Sequence, residues 1–237
     1  MISAPSGNYP GRVYLPSHFA LTDWTQIGAF VDAAGAADLV TFDGTKPVAT
    51  LLPVIWDRPA EPGPGADGSN GNGPDLGRVL CHLALANDQW RSAQPGAQAL
   101  AIVHGPQAYI SPSWYESTAR HGRSVPTWNY DAVHLTGTLT VHRDAQWLRE
   151  MVTRLTRRYE DSRPRPWSVS DAPPEYIDGQ LRGIVGLELR VTSVEAKQKL
   201  SQNRSAADQA GAIAGLRGEP GPGPAAIADQ MAANLAD

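Results

Sequence analysis

The run YDAVHLTGTLTVH, Tyr130–His142, constrains the fold more than any other stretch of the chain. Val133, Leu135, Leu139 and Val141 alternate with His134, Thr136, Thr140 and His142. A period of two is the signature of a strand with one buried and one wetter face. Further strand-like runs flank it. ADLVTFD and PVATLLPVIWD surround an Asp43-Gly44 pair, which marks a hairpin because glycine tolerates positive φ. RVLCHLALA reads as another strand, and AQALAIVHG with AYISPSWY as two strands or one bent at Gly105-Pro106. LRGIVGLELRVTSVEAKQKL reads as a strand, then a turn or short helix. Short antiparallel strands cannot leave their edges bare, and closure into a small barrel removes those edges.

Two helices stand out against this background. TDWTQIGAFVDAAG places Thr22 as N-cap and Gly35 as the stop, with Trp24, Ile27, Phe30 and Val31 at helical spacing. DAQWLREMVTRLTRRYED begins at Asp144 and gathers Trp147, Leu148, Met151, Val152 and Leu155 on one face. NDQWRSAQPG breaks a strand and can start a short helix. The end of the chain, from Ser205, reads as two Ala-rich helical pieces split by a Gly/Pro linker. RPAEPGPGADGSNGNGPDLG, residues 58–77, reads as a long hairpin connection with a disordered tip. The expected organisation is one domain over residues 1–200 and a helical tail over 201–237, packed on the barrel or on a partner subunit.

Composition removes several functions. Lys and Arg total 20 against 24 Asp and Glu, a net charge of −4, which argues against a broad nucleic-acid footprint. RLTRRYEDSRPR is the one local basic cluster, most simply a solvated helix face. A single cysteine, Cys81, rules out a disulfide framework or a Cys-based zinc site and reads as a small buried hydrophobe. A metal site from His18, His82, His104 and His134 would need a convergence that spacing does not display. No apolar run reaches the roughly 18 residues of a membrane span, and the first sixteen residues lack a signal-peptide pattern. A cytoplasmic location is expected.

ISPSWYESTARHGRSVPTWNYDAVHLTG, Ile110–Gly137, holds two Trp and two Tyr in two clusters around a polar loop. Rings with a polar tip stack on flat ligands and also suit interfaces. Ser113, Asn129 and His134 add donors and acceptors, so pocket wall and interface packing both remain open. For His82 and His134 the readings are a ligand contact or a hydrogen-bonded structural imidazole. For Arg204 in SQNR they are a phosphate clamp or a solvated arginine beside a helix cap at Ser201 or Asn203.

GPQAYISPSWY, VPTWNYDAVHLTG, LRGIVGLEL and KLSQNR resemble the PaiB-type proteins, described as FMN-binding negative transcriptional regulators. YLPSHF and HLALANDQWR fit in the same order, so the resemblance covers residues 13–237. It implies a split β-barrel of the pyridoxamine 5'-phosphate oxidase type, an α+β fold dominated by β, with flanking helices and a helical C-terminal tail. It also implies a homodimer with FMN at the subunit interface. The segments matching the flavin-lining strands contribute Thr50, Leu51, Leu52, His82, Leu83, Asn87, Gln89 and Trp90. Ser113, Trp114, Tyr115, Trp128, Asn129 and His134 would close the pocket, and Arg204 would assist. The chain departs from the family at Leu51, Cys81, Leu85 and Asp88, where His, Gly, Arg and Pro are usual. Three functions are therefore open: a flavin-binding regulator, an FMN-dependent oxidoreductase acting on a small molecule, and a barrel holding another ligand, haem included. The expected partners are a second copy and a small molecule; the charge argues against direct DNA binding, and no membrane is expected.

Overall fold

A computed structural model describes residues 13–63, 75–92 and 96–236. The tip of the Gly/Pro-rich connection and the first twelve residues lie outside the described residues. The elements are α1 (Trp24–Ala34), β1 (Ala36–Phe42), β2 (Pro47–Pro53), β3 (Ile55–Asp57), β4 (Arg78–Ala84), β5 (Gln98–Ile110), α2 (Glu116–His121), β6 (Thr127–His142), α3 (Ala145–Glu160), α4 (Pro174–Arg182), β7 (Ile184–Lys199), α5 (Ala206–Arg217) and α6 (Pro222–Ala236).

The seven strands form one sheet in the order β2-β1-β5-β6-β7-β4-β3. β2 and β3 are two halves of nearly one strand, broken only at Val54. The first half pairs antiparallel with β1, Ala36 opposite Pro53 through Phe42 opposite Pro47. The second half pairs antiparallel with β4, Ile55 opposite Leu80 and Asp57 opposite Arg78. One strand thus belongs to both ends of the sheet, and this closes it into a barrel. β4 in turn pairs with β7, and β1 with β5. Gly137 marks the tightest β6–β7 approach, where a methyl group would run into the Arg190 carbonyl.

The chain forms two compact units. The barrel unit comprises Asp23–His104 and Ala132–Val194. Its core is the inward row of the strands, including Leu39, Leu52, Val79, Leu83, Val103, Leu135, Val185, Leu187 and Leu189, all nearly inaccessible to solvent. The cap unit comprises the residues up to Thr22, Gly105–Asp131 and Glu195–Asp237. Its core gathers Ala108, Ile110, Tyr115, Leu200, Ala212, Leu216, Ile227 and Met231. Residues 201–237 therefore share a core with residues 105–131.

Local chemistry explains most boundaries. The α1 N-cap is Asp23, whose carboxylate accepts from Gln26 N at 2.8 Å, one residue after the expected Thr22. Gly35 ends α1 in the left-handed region, φ 68°. Asp144 caps α3 as expected, accepting from Trp147 N. β5 is one continuous strand through Gly105-Pro106. β7 also continues to Lys199, where a turn or short helix was expected after Val191. The polar ESTARH segment, expected as loop, forms α2 and stops at Gly122, φ 65°. The α5 cap is Ser205, which accepts from Asp208 N, rather than Ser201 or Asn203. Ser201 instead adopts φ 63° in the turn after β7.

Candidate functional site

Strand alternation divides the residues expected around a cofactor. On β2, Thr50 stands opposite buried Leu39 and Leu52 opposite buried Ala37, so both face inward. Leu51 stands opposite Asp38, faces outward and is 64% exposed. Three consecutive strand residues cannot line one surface.

Thr50, Asn87 and Gln89 form a closed hydrogen-bond set. Asn87 Nδ2 donates to Thr50 Oγ1 (3.2 Å), and Thr50 Oγ1 donates to Gln89 Oε1 (2.5 Å). Gln89 Nε2 donates to the Leu39 and Val48 carbonyls at 2.7 and 3.1 Å, and Gln89 N to Asn87 Oδ1 at 3.0 Å. Gln89 is 4% exposed. This set staples the turn Asp88–Ser92 to β1 and β2, and its polar atoms are committed to each other. Trp90 follows, its indole N–H donating to the Leu85 carbonyl (3.0 Å). Arg91 and Arg143 lie over its ring at 4.5 and 5.6 Å. Arg91 also pairs with Asp88 at 2.7 Å, whereas Arg143 has no carboxylate partner among the described residues.

Leu83 is a core residue of β4, and Cys81 beside it has its thiol pushed up to about 12 by burial. His82 lies opposite Gly186, whose missing side chain leaves room for the Trp147 ring of α3. His82 Nδ1 is buried without a hydrogen-bond partner. Burial lowers the pKa of this imidazole and holds it neutral. His134 lies on the half-exposed outward row of β6.

In the cap unit the two aromatic clusters take different roles. Trp114 lies against α5, where a methyl at Gly211 or Gly215 would run into its carbonyl or its ring. Tyr115 is 2% exposed, with Arg204 over its ring at 4.8 Å and its hydroxyl unpartnered. Ser113 is exposed and shares a hydrogen bond with Ser111 at 2.7 Å. Trp128 is 46% exposed, meets Tyr109 edge-on at 6.4 Å and donates to Gln107 Oε1 at 3.0 Å. Asn129 points inward, fully buried, and donates to Ser201 Oγ at 3.0 Å, which holds the left-handed Ser201 turn.

Composition-level reading missed the outward surface of the barrel. Leu51, Asp38 and Ile102 are register partners, as are Ala49, Val40 and Leu100. All six face the same way, and five are apolar and half-exposed or exposed. Asp38 is engaged by His104 at 3.0 Å. Period-two alternation of β1, β2 and β5 could have identified this row, but only once their pairing was known.

Residues 13–193 match a family model described as "Putative FMN-binding domain". Protease synthase and sporulation protein PAI 2 of Bacillus subtilis is 32% identical over 219 residues, 92% of this chain and 96% of that protein. The chain belongs to the PaiB-type FMN-binding family. An uncharacterized protein of Aspergillus fumigatus is 33% identical over 199 residues, covering 70% of this chain and 74% of its own length. Among solved structures, the flavocytochrome Anf3 of Azotobacter vinelandii superposes with a TM-score of 0.50 at 14% identity, covering 76% of this chain and 69% of that one. A conserved hypothetical protein of Mycobacterium tuberculosis gives 0.51 at 10% identity, covering 78% and 90%. The fold is the split barrel expected for the PaiB-type family, a seven-stranded antiparallel sheet with six helices.

The barrel unit fits a flat anionic cofactor of the PaiB-type family in two respects. Its outward row offers an apolar bed with Leu51 standing clear of the sheet. Arg143, over Trp90, offers a cation not neutralised by a carboxylate. The Thr50–Asn87–Gln89 set, apart from the second Asn87 Nδ2 hydrogen, is spent on its own bonds.

Proposed function

We propose that this chain is a PaiB-like flavoprotein that binds FMN on the outward face of β1, β2 and β5, as a homodimer whose second copy covers that face. The observation that carries the reading is the outward row Leu51, Ile102, Val40, Leu100 and Ala49 on three paired strands, an apolar surface interrupted by Asp38. Leu51, Val40, Leu100 and Ile102 would bear on the ring and exclude water from it. Arg143 would meet the phosphate, since a guanidinium makes forked, charge-assisted hydrogen bonds to such oxygens. Bound FMN supplies electron or hydride transfer, and the chain then needs to orient a small molecule rather than provide an acid or base. The family model, described as "Putative FMN-binding domain", supports the flavin part of the reading.

A regulatory role would run through the flavin or a partner protein. Three of the five arginines of the basic segment, Arg154, Arg158 and Arg163, are each paired with a carboxylate, so the segment does not present an unbroken cationic stripe for DNA. A cytoplasmic location goes with this reading; no described helix is long and apolar enough to cross a membrane.

The test is to saturate the purified chain with FMN, desalt it, and record its visible spectrum and sedimentation. Retained flavin bands on a particle of twice the chain mass are expected. A colourless protein would overturn the flavin assignment, and a flavin-bearing monomer would overturn the dimer.

A further inference from the structure

The basic segment flagged in the sequence has an uneven distribution of partners. Arg149 pairs with Asp178 at 2.5 Å, Arg154 with Asp57 at 3.3 Å, Arg158 with Asp32 at 3.2 Å and Arg163 with Glu160 at 3.1 Å. The Arg157 guanidinium makes no hydrogen bond or ion pair with any described residue. It lines a half-open cleft of about 360 Å³ between α3, the turn Ser168–Ala172 and the start of α4. That volume falls in the range of small-molecule pockets, about 300–1,000 Å³.

The lining is chemically divided. Arg149 and Arg157 come from α3, two turns apart on one face. Ser168 and Ser170 come from the facing turn, their hydroxyls 2.8 Å apart. That pair shares one proton between them and has one left to donate. Arg149 has spent one N–H on Asp178 and retains the rest of its fork. Val169 and Ile177 close the apolar side. The nearby acids are already engaged or turned outward: Asp178 with Arg149, Asp171 accepting from Ser168 N at 2.8 Å, and Glu175 exposed on α4.

We infer that this cleft binds a small phosphomonoester, with Arg157, Arg149 and the Ser168–Ser170 hydroxyls on the phosphate and Val169 and Ile177 against a compact apolar body. Two guanidiniums and a hydroxyl pair line one cleft, and these are donors of the kind that a tetrahedral oxyanion takes. A cleft of this size suits one small anion rather than a nucleic-acid backbone, which needs an extended row of cations. The site is separate from the outward row of β1, β2 and β5, and the inference does not rest on flavin binding.

The experiment is calorimetric titration of the full chain, in phosphate-free buffer, with phenyl phosphate, benzoate and inorganic phosphate. Saturable binding of one phenyl phosphate per chain is expected, with benzoate and inorganic phosphate weaker. Arg157→Ala should weaken phenyl phosphate about tenfold or more. Because Arg157 is exposed and unpaired, its removal should leave thermal stability unchanged. Ser168→Ala/Ser170→Ala is the second variant and should weaken binding severalfold. Equal affinity in Arg157→Ala, benzoate binding as tightly as phenyl phosphate, or displacement by short duplex DNA would each overturn the inference.

Discussion

Two buried polar clusters, Thr50–Asn87–Gln89 in the barrel unit and Asp131 with Gln230 in the cap unit, are satisfied to very different degrees. In the barrel unit, Gln89, Thr50 and Asn87 bond to one another and to the Leu39 and Val48 carbonyls, and fasten the Asp88–Ser92 turn to β1 and β2. In the cap, Asp131 is 3% exposed with neither carboxylate oxygen hydrogen-bonded, and Gln230 Oε1 and the Tyr115 hydroxyl are also unpartnered. Burial pushes Asp131 up to about 6, and the Gln230 and Gln198 amides beside it oppose that only weakly. Lys199, donating to Thr127 Oγ1 and the Trp128 carbonyl, is shifted down by burial and then by Lys197 and Arg204. A satisfied network fixes geometry, whereas an unsatisfied one stores a cost that a proton, a mutation or a ligand can release.

The largest break in this contrast is Gln89→Leu. It strands the Leu39 and Val48 carbonyls and the Thr50 hydroxyl, and should cost about 3–4 kcal/mol in urea unfolding. Next is Gly137→Ala, which drives a methyl into the Arg190 carbonyl and should cost about 2–3 kcal/mol. Asp131→Asn should act in the other direction. The raised pKa means the folded chain holds a proton that the unfolded chain has released between roughly pH 4 and 6. Stability therefore falls as pH rises through that window and is flat above it on this account. Asp131→Asn should flatten the window and gain about 2 kcal/mol at pH 7.5, read by unfolding at several pH values. The smallest effect belongs to Asp88→Ala. Its pair with Arg91 is exposed on both sides, so stability should change by about 0.5 kcal/mol or less.

Alternation, turn residues and caps made much of the fold readable in advance. The β6 run, the Asp43-Gly44 hairpin, α1, α3 and the two C-terminal helices all carry local signals. Asp43 shows how local they are: its carboxylate accepts from Thr45 N, Thr45 Oγ1 and Lys46 N around left-handed Gly44. What local signals do not carry is pairing. β7 runs on to Lys199, although its sequence loses strict alternation after Thr192. The same limit governed the site. Thr50, Leu51 and Leu52 were adjacent in sequence, but only the β1 register shows that Leu51 alone faces outward. Leu51 then joins Ile102, distant in the chain, through Asp38. Trp114 and Trp128 look equivalent in sequence, yet the two glycines of α5 that receive Trp114 have no counterpart beside Trp128.

The central claim is that the outward row of the barrel is the flavin bed, and Leu51 tests it most directly. It is 64% exposed in one copy, so Leu51→Asp should leave the far-UV circular dichroism of the chain unchanged. Flavin retained per chain after desalting should then be close to one for the wild type and near zero for Leu51→Asp. Equal retention by both proteins, or retention by neither, would contradict the account.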